Sequence, residues 1–331
     1  MRFIGLLLLI SLLTFSCDTK ERKRVEFPSK PKKVFAPLDS VPTFQADTAY
    51  AFIEKQLAFG PRVPNTPEHK NCAAYLDSEL KRLGLETEMQ SAKVTAFNGD
   101  ALDIRNIQGR LNPEIKDRIL LFAHWDSRPF ADRDSEKKNK PILGANDGAS
   151  GVAVILELLR SIQDYPKKPT IGIDVVLFDA EDYGKPSSSM TGEGNDSWCL
   201  GSQYWSENLP VDYLKPKYGI LLDMVGAENA VFPKEYASRQ FAPELQDKIW
   251  GLANDLGYGK LFISEAVGGI TDDHIYVSQL AEIPSVDIIH YEPWRRDFGT
   301  FHHTHEDNLD VISKPTLGAV GEVLIEFLYR E

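Results

Sequence analysis

The chain has 331 residues, 42% hydrophobic and 26% charged, which suits a globular protein of one large or two smaller α/β domains. Its formal net charge of −12 argues against a nucleic-acid partner, because such a surface needs a basic stripe.

Met1-Arg2 leads into an apolar run from Phe3 to Phe15 that ends at Ser16-Cys17-Asp18. A basic start, an apolar centre and a small residue before a possible cut have the layout of a signal peptide over residues 1–16. The run is shorter than the roughly 20 apolar residues of a membrane-spanning helix. Cys17 directly after the small residue resembles the lipobox of bacterial lipoproteins, although Phe15 stands where a smaller residue is more usual. That resemblance implies cleavage before Cys17, a lipid on its sulfur, and an exported protein at the periplasmic face of a bacterial membrane. Residues 17–44 then serve as anchor and flexible tether, since 18–40 mix Lys, Arg and Pro with few apolar positions. Cys72 and Cys199 remain; in an export compartment either a disulfide or two separate buried thiols is open to them.

Folded sequence begins near Thr48. A helix over 49–57 stops at Phe59-Gly60-Pro61, and a second starts where Thr66 caps and Pro67 occupies the first turn. Ala73, Leu76, Leu80 and Leu83 recur at helical spacing, and Gly84 closes that helix. Two β-like runs, 86–97 and 103–110, flank the turn residues Asn98-Gly99-Asp100. Strands then alternate with helices: strands at 118–124, 173–179, 217–224, 261–264 and 285–289, helices at 149–160, 243–256 and 316–328. This alternation predicts a mostly parallel sheet covered on both faces, in a single domain over 45–331. Two polar insertions, 130–140 and 184–196, follow acidic strand ends, where loops shape a substrate site.

Five apolar runs finish in groups that bind metals or move protons. They give His124-Trp-Asp126; Gly144-Ala-Asn-Asp147-Gly148; Glu181-Asp182 after Ile173–Asp179; Asp223 after Leu221-Leu222; and Phe301-His-His303-Thr-His-Glu-Asp-Asn308, with three of the seven histidines. Alone, each has a plain reading: a hydrogen-bonded histidine, a helix cap at Asp147, a turn at Asp223. In a doubly covered sheet, however, ligands collect at the carboxyl ends of the strands. His and carboxylate gathered at one such edge supply a donor set that suits zinc.

The series H-x-D, G-A-x-D, the acidic pair, L-D-M and H-T-x-E-D is similar to the co-catalytic zinc aminopeptidase superfamily. More narrowly, it resembles the animal-type zinc glutaminyl cyclases and their bacterial relatives, over about residues 45–331, with Gly60-Pro-Arg-Val-Pro64 and the closing helix included. The resemblance implies a three-layer α/β/α sandwich around a mixed, mostly parallel sheet. It implies one zinc ion on Asp147, Asp182 and His303, with Glu181 as general acid/base. In the two-metal aminopeptidases Asp147 would bridge, and His124 with Asp223 would hold a second ion. The acidic pair is Glu-Asp here where both groups often have Glu-Glu; the shorter Asp182 places the metal nearer the backbone.

Thr271-Asp272-Asp273-His274 resembles the Asp-Asp-His of the cyclases rather than the Ser-Asp-His frequent in the aminopeptidases. It implies a cluster of Asp272 with Glu181 and Asp223 in which one carboxyl keeps its proton. Asp287 would support that cluster, and Asp126 the ligands. Trp198, Trp294, Phe301 and His302 are the expected substrate contacts, with core packing open to each aromatic. The implied reaction turns the N-terminal Gln of peptides into pyroglutamate and releases ammonia. The alternatives are a di-zinc aminopeptidase and, from another class, a non-enzymatic binder of peptide termini.

Overall fold

The computed structural model describes residue 38, residues 40–186 and residues 196–331. The signal peptide, Cys17 and the tether through residue 37 lie outside the described residues, as do positions 187–195 of the second insertion. In chain order the elements are α1 (Ala46–Leu57), α2 (Pro67–Arg82), β1 (Glu86–Thr95), β2 (Ala101–Leu111), β3 (Arg118–His124), α3 (Ala149–Asp164), β4 (Gly172–Phe178) and α4 (Leu200–Glu207). They continue with β5 (Tyr218–Asp223), β6 (Phe232–Lys234), α5 (Tyr236–Phe241), α6 (Pro243–Asp255), β7 (Phe262–Ala266), α7 (Asp273–Gln279), β8 (Ser285–Ile289) and α8 (Lys314–Leu328).

Six strands form one sheet in the order β1-β2-β4-β3-β5-β8. The β1–β2 and β2–β4 pairings are antiparallel, and the three pairings that join β4, β3, β5 and β8 are parallel. Strands β3 and β4 are buried at every residue, as their unbroken apolar character requires. Their side chains alternate between two cores. Ile119, Leu121, Val175, Leu177, Ile220, Leu222, Val286 and Ile288 pack with α1, α3 and α8 on one face. Leu120, Phe122, Val176, Phe178 and Leu221 meet Trp205 of α4 and Val277 of α7 on the other. The result is the expected α/β/α sandwich.

Register fixes the site. His124 pairs with Phe178, and Asp223 with Ile289, so the parallel strands β3, β4, β5 and β8 end level at one edge. Thr66 caps α2 as expected, its hydroxyl accepting the N–H of His69. Four elements differ from expectation. Helices α4 and α5 lie in stretches where the sequence pattern suggests no element, being too short for a helical period to emerge. Asp272 caps a further helix, α7, by accepting the N–H of Asp273, so Asp272-Asp273 is a helix start rather than a loop. Strand β7 leaves the main sheet and pairs with β6 alone. Ser238 of α5 accepts the N–H of Asp287, which satisfies part of the outer edge of β8.

Candidate active site

Each chemically active side chain reaches the sheet edge on a constrained turn. Ala180, Cys199, Met224 and His303 all have positive φ, between 48° and 58°. Such left-handed backbone costs roughly 1–3 kcal/mol per residue. Hydrogen bonds hold the acidic turn in place: Asp126 accepts the N–H of Glu181 at 3.1 Å and of Asp182 at 3.2 Å, one on each carboxylate oxygen. The N–H groups of Cys199 and Leu200 donate to the carbonyls of Glu181 and Ala180. Gly148, with φ of 91°, lets α3 begin against His124, where a Cβ would lie 2.6 Å from the carbonyl oxygen of Asp126.

His303 Nε2 lies 3.2 Å from Asp182 Oδ1 and 3.7 Å from Asp147 Oδ2. His302 Nε2 is 4.0 Å from the same Asp147 oxygen. The other Asp147 oxygen is 3.0 Å from His124 Nε2, which is also 3.2 Å from Asp223 Oδ1. Asp147 therefore joins two clusters, Asp147–His302–His303 and His124–Asp147–Asp223, in each of which the donor atoms lie within 4.8 Å of one another. His303 thus lies beside both Asp182 and Asp147, the other two residues of the expected zinc set.

These residues fit a zinc ion. Asp182 Oδ2 is buried with no hydrogen-bond partner. Burial and the charge of Asp147 push the Asp182 carboxyl well above its usual range, a like-charge conflict that a cation relieves. Burial and the nearby Arg128 guanidinium lower His303 to about 3, leaving a neutral imidazole with a lone pair to donate.

The acidic cluster lies beside this centre. Burial raises Glu181 well above its ordinary value, with Asp272 and Asp182 adding to the effect beyond what His124 offsets. Burial, reinforced by neighbouring carboxylates, lifts Asp272 to about 7, Asp273 to about 8 and Asp223 to about 6. Asp287 is fully buried and raised by the same causes; its Oδ2 lies 3.8 Å from His274 Nδ1. Burial opposes a charge on His124, yet hydrogen bonds to Asp126, Asp147 and Asp223 hold its imidazole well above 6.5.

A cleft of about 1820 Å³ opens onto these groups, lined by Asp147, Glu181, Asp182, Asp223, Asp272, His302 and His303. Trp198 lines it too, parallel to His303 with ring centroids 5.7 Å apart. Two expected substrate contacts are elsewhere. Phe301 stacks on His290 within the core, since the loop turns its ring inward, and Trp294 is 66% exposed and does not line the cleft. Cys72 and Cys199 are separate buried thiols, which closes the alternative left open by their count.

Several supporting residues escaped sequence reading. Arg128 lies 4.6 Å from the Trp198 ring and donates to the carbonyls of Asp182 and Gly184. Asp132 accepts from Arg128 at 2.6 Å and stands 3.6 Å from His303 Nδ1, the carboxylate behind a ligand histidine that steadies such rings. Asp307 accepts the N–H groups of Asn146 and Asp147. Arg62, from the Gly60–Pro64 stretch, clamps the carbonyls of Trp125, Leu143 and Gly144. Cys199 Sγ donates to Glu181 Oε1 at 3.1 Å. For Arg128 and Asp132 the only signal was nearness to the His-x-Asp stretch.

The family model of peptidase family M28 matches residues 106–328. The crystal structure of Tannerella forsythia glutaminyl cyclase is 51% identical, covers 88% of this chain and 100% of that one, and superposes with a TM-score of 0.84. A Zn-dependent exopeptidase from Parabacteroides distasonis is 50% identical with the same coverage and a TM-score of 0.85. The glutaminyl-peptide cyclotransferase of Dictyostelium discoideum is 25% identical over 305 residues, 81% of this chain and 80% of its own. Against the cyclotransferases of Boiga dendrophila and Bothrops jararaca the chain spans 64% of their length.

Proposed function

Because this chain belongs to peptidase family M28 and is 51% identical to a glutaminyl cyclase over the 88% of its length that aligns, we propose that it is a zinc-dependent glutaminyl-peptide cyclotransferase. Its substrates are peptides and proteins with N-terminal Gln, which it converts to pyroglutamate with release of ammonia. The observation that carries this reading is Glu181, a buried carboxylate that lines the cleft together with Asp147, Asp182 and His303 and has an oxygen within 4.8 Å of one on the second acid, Asp272.

Asp147, Asp182 and His303 would hold the zinc. When bound, the ion supplies Lewis-acid polarisation of the side-chain amide oxygen of the substrate glutamine. The protein's own groups do the rest. The cleft wall of Trp198 and His302 confines the glutamine side chain, so that the α-amine meets its own amide carbon in near-attack range. Glu181 takes the proton that the amine loses on forming the new C–N bond. It returns that proton to the amide nitrogen, which leaves as ammonia. Burial raises both Glu181 and Asp272, so the neighbouring carboxyls share protons near neutral pH, and Glu181 acts as the base in the form where Asp272 holds the proton. The cleft exceeds one side chain in size, leaving room for the residues that follow the glutamine.

A second reading, a di-zinc aminopeptidase, draws on the His124–Asp147–Asp223 cluster. The cyclotransferase relatives favour the single-ion cyclase, whereas His124, set among Asp126, Asp147 and Asp223, would suit either a proton or a second ion. Metal content per chain, together with products from a Gln-initiated peptide, tests the choice. One zinc with ammonia and no free amino acid supports the cyclase; two zincs with released glutamine support the peptidase and overturn it.

Cys17 and the apolar leader support lipid anchoring at the periplasmic face of a bacterial membrane. In a bacterial host, labelled fatty acid should enter the full chain and be absent from Cys17→Ser; equal labelling of both would remove this assignment. Among the described residues no helix is long and apolar enough to cross a membrane.

A further inference from the structure

Cys199 precedes α4 with φ of 58°, and this turn directs its sulfur at the base: Sγ lies 3.1 Å from Glu181 Oε1. Sγ, a Glu181 oxygen and an Asp272 oxygen all lie within 4.8 Å of one another. Asp272 uses Oδ1 to accept the N–H of Asp273, whereas its Oδ2 is buried and has no hydrogen-bond partner. Glu181 and Asp272 line the cleft, as do Trp198 and Leu200 on either side of the buried Cys199. A sulfur and two carboxylate oxygens at this spacing form a mixed donor set for a thiophilic divalent cation, distinct from the oxygen and imidazole donors of the Asp147–Asp182–His303 centre.

We propose that Cys199, Glu181 and Asp272 form a second cation site, which takes a soft divalent ion such as cadmium, or zinc in excess, and thereby shuts off turnover. Binding displaces the thiol proton to solvent and forms a sulfur–metal bond; nothing is oxidised or reduced. The ion then occupies the Glu181 oxygen needed for proton transfer. The inhibition rests on the role given to Glu181 above, whereas the binding does not.

The test titrates the zinc-loaded full chain with cadmium and follows the ultraviolet thiolate-to-cadmium absorption band alongside ammonia release. The band should saturate at one equivalent while activity falls in parallel. Cys199→Ser should lack the band, and its half-inhibiting cadmium concentration, relative to its own uninhibited rate, should rise about tenfold or more. Asp272→Asn should keep the thiol yet bind cadmium more weakly, and Cys72→Ser should behave as the parent. A band that survives Cys199→Ser, or equal cadmium sensitivity in parent and Cys199→Ser, overturns the proposal and points to Cys72 or to displacement of the zinc. Cadmium bound through Cys199 in a chain that releases no ammonia would uphold the site and sink the cyclase reading instead.

Discussion

Trp198 and His303 lie face to face, their ring planes 8° apart and their centroids 5.7 Å apart. One residue follows the second insertion and the other lies in the loop after β8, so the stack ties the proposed substrate wall to a proposed zinc ligand. Removing the indole should therefore affect substrate binding and ligand order together. Such a ring pair contributes about 0.5–1.5 kcal/mol beyond its buried area. Trp198→Ala should raise KM several-fold and weaken zinc retention during dialysis against a mild chelator, while Trp198→Phe stays near the parent. An unchanged KM in Trp198→Ala would show that the wall lies elsewhere.

Glu181 is the proposed proton carrier. Glu181→Gln keeps the shape and removes the base, so kcat should drop by about two to four orders of magnitude. Zinc content, measured by atomic emission, should stay at the parent level because Glu181 is not among the assigned ligands. Normal cyclisation by this variant would end the role.

Asp126 is asked to hold two backbone N–H groups at once. Asp126→Asn replaces one acceptor oxygen with an amide that faces an N–H donor, leaving one of these buried groups unpaired. The Glu181–Asp182 turn should loosen, with zinc affinity and kcat each falling about 10- to 100-fold. Competition with a fluorescent chelator reads the first effect and steady-state kinetics the second; a fall in stability alone, with both constants intact, would contradict the bracing role.

His290 links stability to pH. Burial lowers its imidazole to about 4 from 6.5, and Nδ1 accepts the N–H of Val231. The unfolded chain thus binds more protons between these two values. The contribution is fully present above pH 6.5 and is lost as the pH falls towards 4, at about 1.4 kcal/mol per pH unit within that window. The urea midpoint should drop between pH 7 and 5, and His290→Asn should drop less over the same interval. Equal slopes for the two proteins would remove His290 from the account.

The sandwich was legible because β3, β4 and β5 are buried along almost their whole length, and such strands leave unbroken apolar runs. The centre was legible because each run ends in a ligand type, so His124, Asp147, Glu181, Asp182, Asp223 and His303 stood out before any geometry was known. The supporting residues were not. Arg128 just precedes, and Asp132 lies in, a polar insertion whose composition resembles any solvated loop, and only the fold buries the arginine beside Trp198. Phe301 and Trp294 were misjudged for the complementary reason: nearness to His303 in sequence says nothing about which way a ring turns in an irregular loop. Helix α7 was hidden because it spans just Asp273–Gln279, and its cap doubles as a member of the acid cluster.

The three proposed zinc ligands come from the loop before α3, the turn after β4 and the segment after β8, the last strand of the sheet. A nascent chain that has closed β3 onto β4 but not yet docked β8 owns two carboxylates and lacks the imidazole. Firm metal capture thus belongs to the final stage of assembly, and the ion acts as an inspector of the finished product. Truncations or interior lesions that stall the last strand should yield zinc-poor protein even where every ligand codon is intact.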